Sequence, residues 1–192
     1  MTSSPQKNSD HQSGIPNTVL QNGPRQLLFQ HPAHFFSFGF GSGLARKAPG
    51  TFGSLAALPL LWLLWFCPFL VAVIAIIVGF AFGVWCTERT SKALFVHDPG
   101  SIVWDEFIGI FIASLPVWSL NPGLRDLLFF SVWSQLIGLL IIFGVFRFFD
   151  ILKPFPVSWA DQKFDGGFGI MFDDVLAGLL SAILIFGIVE FF

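Results

Sequence analysis

The chain has 192 residues, of which 54% are hydrophobic and 11% charged, with a net charge of −2; an average soluble domain is about a quarter charged. A lipid-embedded chain explains that balance, and ten Lys and Arg spread along the sequence exclude a nucleic-acid surface. The length suits one helical domain, residues 27–192, rather than two.

Residues 1–26 are rich in Ser, Asn, Gln and Pro and lack the apolar core of a secretory signal, so a disordered polar tail is expected. In the following "HPAH", Pro32 and the lack of a neighbouring carboxylate point His31 and His34 to a surface or interfacial role rather than a metal site. The glycine-rich stretch Gly39 to Leu60 places the hydroxyls of Thr51 and Ser54 just before an apolar helix. They either cap that helix or, with its exposed N–H groups, hold an anion. Arg46 and Lys47 precede it and carry little weight.

From Leu55 to Cys86 no residue is charged, and Pro68 divides the run into a short arm and one near the roughly 20 residues of a bilayer crossing. A helical hairpin is expected there, with Cys67 and Cys86 as membrane-buried thiols that have no metal-ligand spacing. Asp105 and Glu106 open the next apolar segment, which Pro116 and the Asn121–Gly123 turn signal interrupt. Leu127 to Phe146 is the cleanest spanning candidate, and Val175 to Val189 closes the chain. No segment alternates with the period of a strand, so the fold class is all-α: a compact membrane-associated bundle with broken helices around a polar, metal-binding cleft. Trp62, Trp65, Trp85, Trp104, Trp118 and Trp133 read as interfacial anchors or core filler. Arg46, Lys47, Arg89, Lys92, Arg147, Lys153 and Lys163 fall between apolar pairs, which puts them on one side, the cytoplasmic one.

Acidic pairs meet two apolar helices, Asp105 with Glu106 and Asp173 with Asp174. The helix dipole stabilises one carboxylate in a first turn by about 0.3–1 kcal/mol, but adjacent residues point about 100° apart, so the second needs a partner. Arg147, Asp150 and Lys153 are spaced three apart, as on one helix face, and follow an apolar run where ionised groups are costly. Asp161 and Asp165 extend the acidic set, while Gly166, Gly167 and Gly169 allow close approach to a ligand. Carboxylates from two helices suit a hard divalent cation, Mg²⁺ foremost, with Asp105, Glu106, Asp173 and Asp174 as its ligands. Arg147 and Lys153 would hold a phosphate beside it, and such a site can hydrolyse a phosphoryl group. Asp150 orients Arg147 or serves as general base. Gly109 and Gly178, each four residues after an acid, leave bare faces for close helix packing.

The motifs "GFGSGL", "PGTFGSLAALPL", "VHDPGSIVWDEFIG", "FRFFDILKPFPVSW" and "GGFGIMFDDVLAG", in this order from about Phe38 to Gly187, resemble the phosphatidylglycerophosphatase A family of bacterial membrane lipid phosphatases. The resemblance implies Mg²⁺-dependent conversion of phosphatidylglycerophosphate to phosphatidylglycerol at the inner membrane. By position it carries function to Asp105, Glu106, Arg147, Asp150, Lys153, Asp161, Asp173 and Asp174. The rival reading, a cation-coupled transporter using the same carboxylates, gives no reason for Arg147 and Lys153 beside them.

Overall fold

The computed structural model describes residues 23–95 and 100–191. Most of the expected tail, residues 1–22, and the "VHDP" at 96–99 lie outside the described residues. Among those described, every regular element is a helix and there is no strand. Two short helices, α1 (Pro24–Leu27) and α2 (Pro32–Ser37), lead through a 3₁₀ segment, Gly39–Leu44, to α3 (Pro49–Leu64) and α4 (Phe69–Leu94). Then come α5 (Trp104–Ala113), a 3₁₀ turn at Leu115–Ser119, α6 (Pro122–Phe129), α7 (Val132–Leu152), α8 (Val157–Lys163) and α9 (Gly166–Phe191).

Three helices, α4, α7 and α9, are long and apolar enough to cross a membrane. With 26, 21 and 26 residues, they extend about 30–40 Å at 1.5 Å per residue, the thickness of a bilayer's hydrocarbon core or more. Their exposed side chains include many aliphatic ones, such as Ile77, Val78, Ile137, Ile141 and Ile183. The order of the ends follows from which residues meet. Pro49, Asp105, Lys153 and Gly166 share one end, whereas Trp65, Phe69, Leu115, Phe129 and Phe186 share the other. Thus α3 and α9 run one way, and α4 and α7 return.

The expected hairpin takes a different form. Pro68 is the N-cap of α4 and separates it from α3, but the two arms choose different neighbours: α3 packs on α5 and α7, and α4 on α9, α2 and α5. Helix α5 lies between them, with Phe107, Ile108, Ile110, Ile112 and Ala113 all buried. At about 15 Å it is shorter than a crossing, and it ends at the turn around Pro116, near the far end. The most extensive helix pair is α5 with α9. A Cβ on Gly178 would meet the Gly109 carbonyl, and one on Gly109 would lie 2.8 Å from the Asp174 carbonyl oxygen, so these glycines set the approach of the two helices.

The cleanest spanning segment shifts relative to the sequence reading. Leu127 belongs to α6, and α7 starts at Val132 behind a reciprocal Ser131–Ser134 capping box. Trp65 is core rather than interfacial, at 3% exposure, while Trp133 is 75% exposed at the far end. Cys86 is buried and Cys67 half-buried. Nor is His34 a surface group, since it is 6% exposed. Its Nδ1 lies 2.9 Å from Thr90 Oγ1, a contact that tethers α2 to α4, and the Thr90 hydroxyl donates to the Cys86 carbonyl at 2.8 Å.

Burial, then the nearby His31 and Arg89, lowers the pKa of His34 below 6.5. Folding therefore favours the neutral ring, and the stability it contributes is lost as pH falls through 6.5 toward the lower folded value. Thermal melts of wild type and His34→Gln at a series of pH values should show a steeper loss below neutrality for wild type. Parallel profiles would refute this.

Candidate active site

A cleft of about 460 Å³ opens at the end shared by Pro49, Asp105 and Lys153. It gathers Asp105, Glu106, Arg147, Asp150, Lys153, Asp161, Asp173 and Asp174 into one place, although they come from α5, α7, α8, α9 and the turn after α7. The remaining lining includes Ala48, Pro49, Gly50 and Asp165. Seven carboxylates thus face two cations.

Each element presents its groups for a local reason. Asp105 and Glu106 occupy the first turn of α5, where the helix dipole favours negative charge, and Asp105 Oδ1 accepts the Glu106 N–H at 3.0 Å. The second acidic pair does not sit at a helix start. Helix α9 begins at Gly166, so Asp173 and Asp174 lie about 10 Å along its axis, 8% and 4% exposed. Dipole stabilisation fades within a turn, which removes the simplest structural explanation for that pair. Arg147 and Asp150 do share a face of α7 and form an ion pair, and Arg147 Nη1 also donates to Glu106 Oε1 at 3.2 Å.

Lys153 departs from the expected ladder. It is the C-cap of α7 in the left-handed conformation, φ 42°, so its side chain leaves the helix face and bridges Asp161 at 2.6 Å and Asp173 at 2.9 Å. Burial opposes its charge, but these two carboxylates outweigh burial and raise its pKa.

Thr51 and Ser54 do not line the cleft. Pro49, whose fixed φ suits a first helical position, starts α3 earlier than expected, with Ala48 as its N-cap. Thr51 and Ser54 are therefore inside the helix, and Ser54 is fully buried. What meets the site there is glycine. A Cβ on Gly50 would strike Glu106 Oε1 and one on Gly53 would strike Glu106 Oε2. These two positions escaped the sequence reading, and their signal was the three-residue Gly spacing in "PGTFG", one bare helix face.

Of the run Gly166, Gly167 and Gly169, the first and last line the cleft, and all three also serve packing. Gly166 takes φ +72°, a Cβ on Gly167 would lie 2.7 Å from Glu88 Cβ, and one on Gly169 would strike the Phe164 carbonyl. Glu88, on α4, accepts the Gly167 N–H at 2.5 Å and so satisfies a free donor at the start of α9. Sequence gave no sign of this interhelix cap.

The electrostatics fit a cation. Burial pushes Glu106 up to about 8, with Arg147 opposing it, and burial followed by the Glu106 and Asp173 charges holds Asp105 well above the usual carboxylate range. Glu106 Oε2 and Asp174 Oδ2 are buried with no hydrogen-bond partner, which costs about 1–3 kcal/mol each, or more when charged. Among the described residues, no three Asp, Glu, His or Cys side chains already form a coordination set.

Because the Gly178–Gly109 contact fixes how closely α9 approaches α5, Gly178→Ala should destabilise the protein by about 1–3 kcal/mol, as overpacking does. It should also reduce activity by separating the acidic pairs. A melt and an activity assay both matching wild type would disprove this coupling.

Comparison with known proteins points the same way. The family model described as Phosphatidylglycerophosphatase A matches residues 35–189. The chain is similar to Phosphatidylglycerophosphatase A of Haemophilus influenzae, 41% identical over 172 residues, covering 88% of this chain and 97% of that one. The protein of the same name from Escherichia coli is 38% identical over 157 residues, 82% of this chain and 83% of that one. A Bacteroides thetaiotaomicron relative, 38% identical over 152 residues (77% and 87%), is provisionally named a phosphatidylinositol-3-phosphatase. No solved structure matches. The match takes in every helix that builds the cleft, from α3 to α9, and the chain belongs to the phosphatidylglycerophosphatase A family.

Proposed function

We propose that this protein is a phosphatidylglycerophosphate phosphatase, releasing the terminal phosphate to give phosphatidylglycerol, with Mg²⁺ held by Asp105, Glu106, Asp173 and Asp174. The carrying observation is the meeting of seven carboxylates with Arg147 and Lys153 in one cleft at the end of three membrane-length helices. Bound Mg²⁺ would supply Lewis acidity toward a phosphoryl oxygen and a more acidic water.

The chain's own groups do the rest. Arg147 lines the cleft, so its guanidinium can turn an N–H to a phosphate oxygen while Nη1 keeps Glu106 and Asp150. Asp150 holds the guanidinium plane in that direction. Lys153, positioned by Asp161, adds a second cation that can neutralise a dianionic phosphomonoester. The start of α3, with Gly50 bared to the cleft, brings the positive end of a 16-residue helix to the same anion.

The site belongs at the cytoplasmic face of a bacterial inner membrane. Among the described residues, Arg25, Arg46, Lys47, Arg89, Lys92, Arg147, Lys153 and Lys163 lie toward the cleft end, while Arg125 lines the opposite end. Positive charge concentrates on the cytoplasmic side. The transporter reading falls away, because the relatives carry phosphatase names and the cleft contains anion-binding groups.

The test is phosphate release from phosphatidylglycerophosphate in detergent micelles, with and without Mg²⁺, alongside phosphatidylinositol 3-phosphate and soluble glycerol 3-phosphate. Release from the first substrate, abolished by EDTA and restored by Mg²⁺, is the expected result. Faster cleavage of the inositol lipid would reassign the head group. Equal cleavage of the soluble ester would remove the lipid assignment.

A further inference from the structure

The cleft's lining mixes charged and apolar residues, and Ile151, on the last turn of α7, belongs to it and is also 68% exposed. Because α7 is one of three helices long and apolar enough to cross a membrane, an exposed aliphatic side chain on it suits acyl chains better than water. Ile151 is therefore shared by the cleft and the lipid-facing surface, and no protein wall separates the two at that point. Resting on the lipid-phosphatase reading, we infer that the cleft opens sideways into the bilayer past Ile151 and that the upper acyl chain of the substrate leaves along this opening.

Both sides of the opening are apolar. Phe148, one turn before Ile151 on the same face, is 56% exposed, and Phe155 just beyond the helix is 80% exposed. On the other side Phe164 lines the cleft and packs edge-on against Phe168 and Phe172, with ring centroids 5.5 and 5.3 Å apart. Phe168 is itself 41% exposed and stacks on Phe172 at 5.1 Å.

The wall at α3 is close-packed. There the first turns of α3 lie against Glu106 with only Gly50 and Gly53 between them. Among the described residues, the chains of a lipid phosphomonoester whose phosphate sits between Arg147 and Lys153 find an apolar, exposed place on the surface that continues the cleft. That place is the Ile151 side, where Arg147 lies one turn below on the same helix face. Ile151 and Phe148 thus determine specificity for a lipid over a soluble ester, without touching the reacting atoms.

The experiment compares kcat/KM for a series of phosphatidylglycerophosphates with short, medium and long acyl chains, presented in mixed micelles to wild type, Ile151→Asn and Ile151→Leu. Wild type should gain with chain length. Ile151→Asn should lower the long-to-short ratio by roughly tenfold, the factor carried by partial loss of one aliphatic contact, and Ile151→Leu should restore it. A ratio unchanged by Ile151→Asn, or equal losses at every chain length, would overturn the inference while leaving the phosphatase reading intact. Absence of phosphate release by wild type from any of these lipids would overturn both.

Discussion

Asp174→Asn should lower phosphate release about a thousandfold and, in the absence of divalent cation, raise the melting temperature. The two effects have one cause. Asp174 is 4% exposed and its Oδ2 has no partner, in a cleft where carboxylates outnumber cations seven to two. Asparagine keeps the shape and replaces a buried carboxyl oxygen that has no partner with an amide that can donate to a neighbouring carboxylate. Relief of about 1–2 kcal/mol corresponds to roughly 2–8 °C for a chain of this length.

The same change removes a ligand for the cation that would otherwise balance the site, and loss of metal-based stabilisation costs several kcal/mol in the transition state. Mg²⁺ should consequently raise the wild-type melting temperature markedly and the variant's only slightly. Near-normal turnover in Asp174→Asn would sink the shared-cation reading. A lower melting temperature in metal-free buffer would instead make Asp174 a structural group whose charge the fold requires.

The sequence made the chemistry of this site more legible than its geometry. Arg147 and Asp150 pair as a three-residue spacing dictates, because α7 continues helically through both. Lys153, at the same spacing, does not join them, because the helix ends at Leu152 and the left-handed C-cap turns Lys153 toward Asp161 and Asp173. Spacing arguments hold only while the helix lasts, and the Pro154 that follows removed the last turn one residue earlier than expected. Asp173 and Asp174 seemed to open a helix since "GGFGIMF" has low helix propensity at its glycines. Those glycines are instead what let α9 start early, lying against Glu88 and Phe164. Tertiary packing overrides propensity there.

Partner choice among helices left no local trace. Pro68 marked the boundary between α3 and α4, but nothing in either apolar run says that α5 will be inserted between them. The uncharged stretch from Leu127 likewise gave the existence of a span and not its start, since hydropathy does not register the hydroxyl pair, Ser131 and Ser134, that fixes Val132 as the first residue of α7.

Arg147→Lys should reduce kcat/KM for phosphatidylglycerophosphate about a hundredfold although the charge is retained. In the structure one nitrogen of Arg147 serves both Glu106 and Asp150, which leaves the rest of its fork for a phosphate in the cleft. A lysine ammonium is a single point on a flexible stem and lacks the planar fork that separates those tasks. If it stays with Glu106 and Asp150, it gives up the phosphate; if it turns to the phosphate, it leaves two poorly solvated carboxylates unpaired. Either way the loss falls on binding of the dianion, so the inhibition constant for inorganic phosphate should rise in parallel with the fall in kcat/KM. Glu106→Gln combined with Arg147→Lys should cost less than the sum of the single changes, because both act through the same hydrogen bond. Lysine supporting near-wild-type turnover and unchanged phosphate inhibition would remove Arg147 from the substrate and confine it to holding Glu106 and Asp150 together. Lost turnover with unchanged phosphate inhibition would place its contribution in the transition state alone.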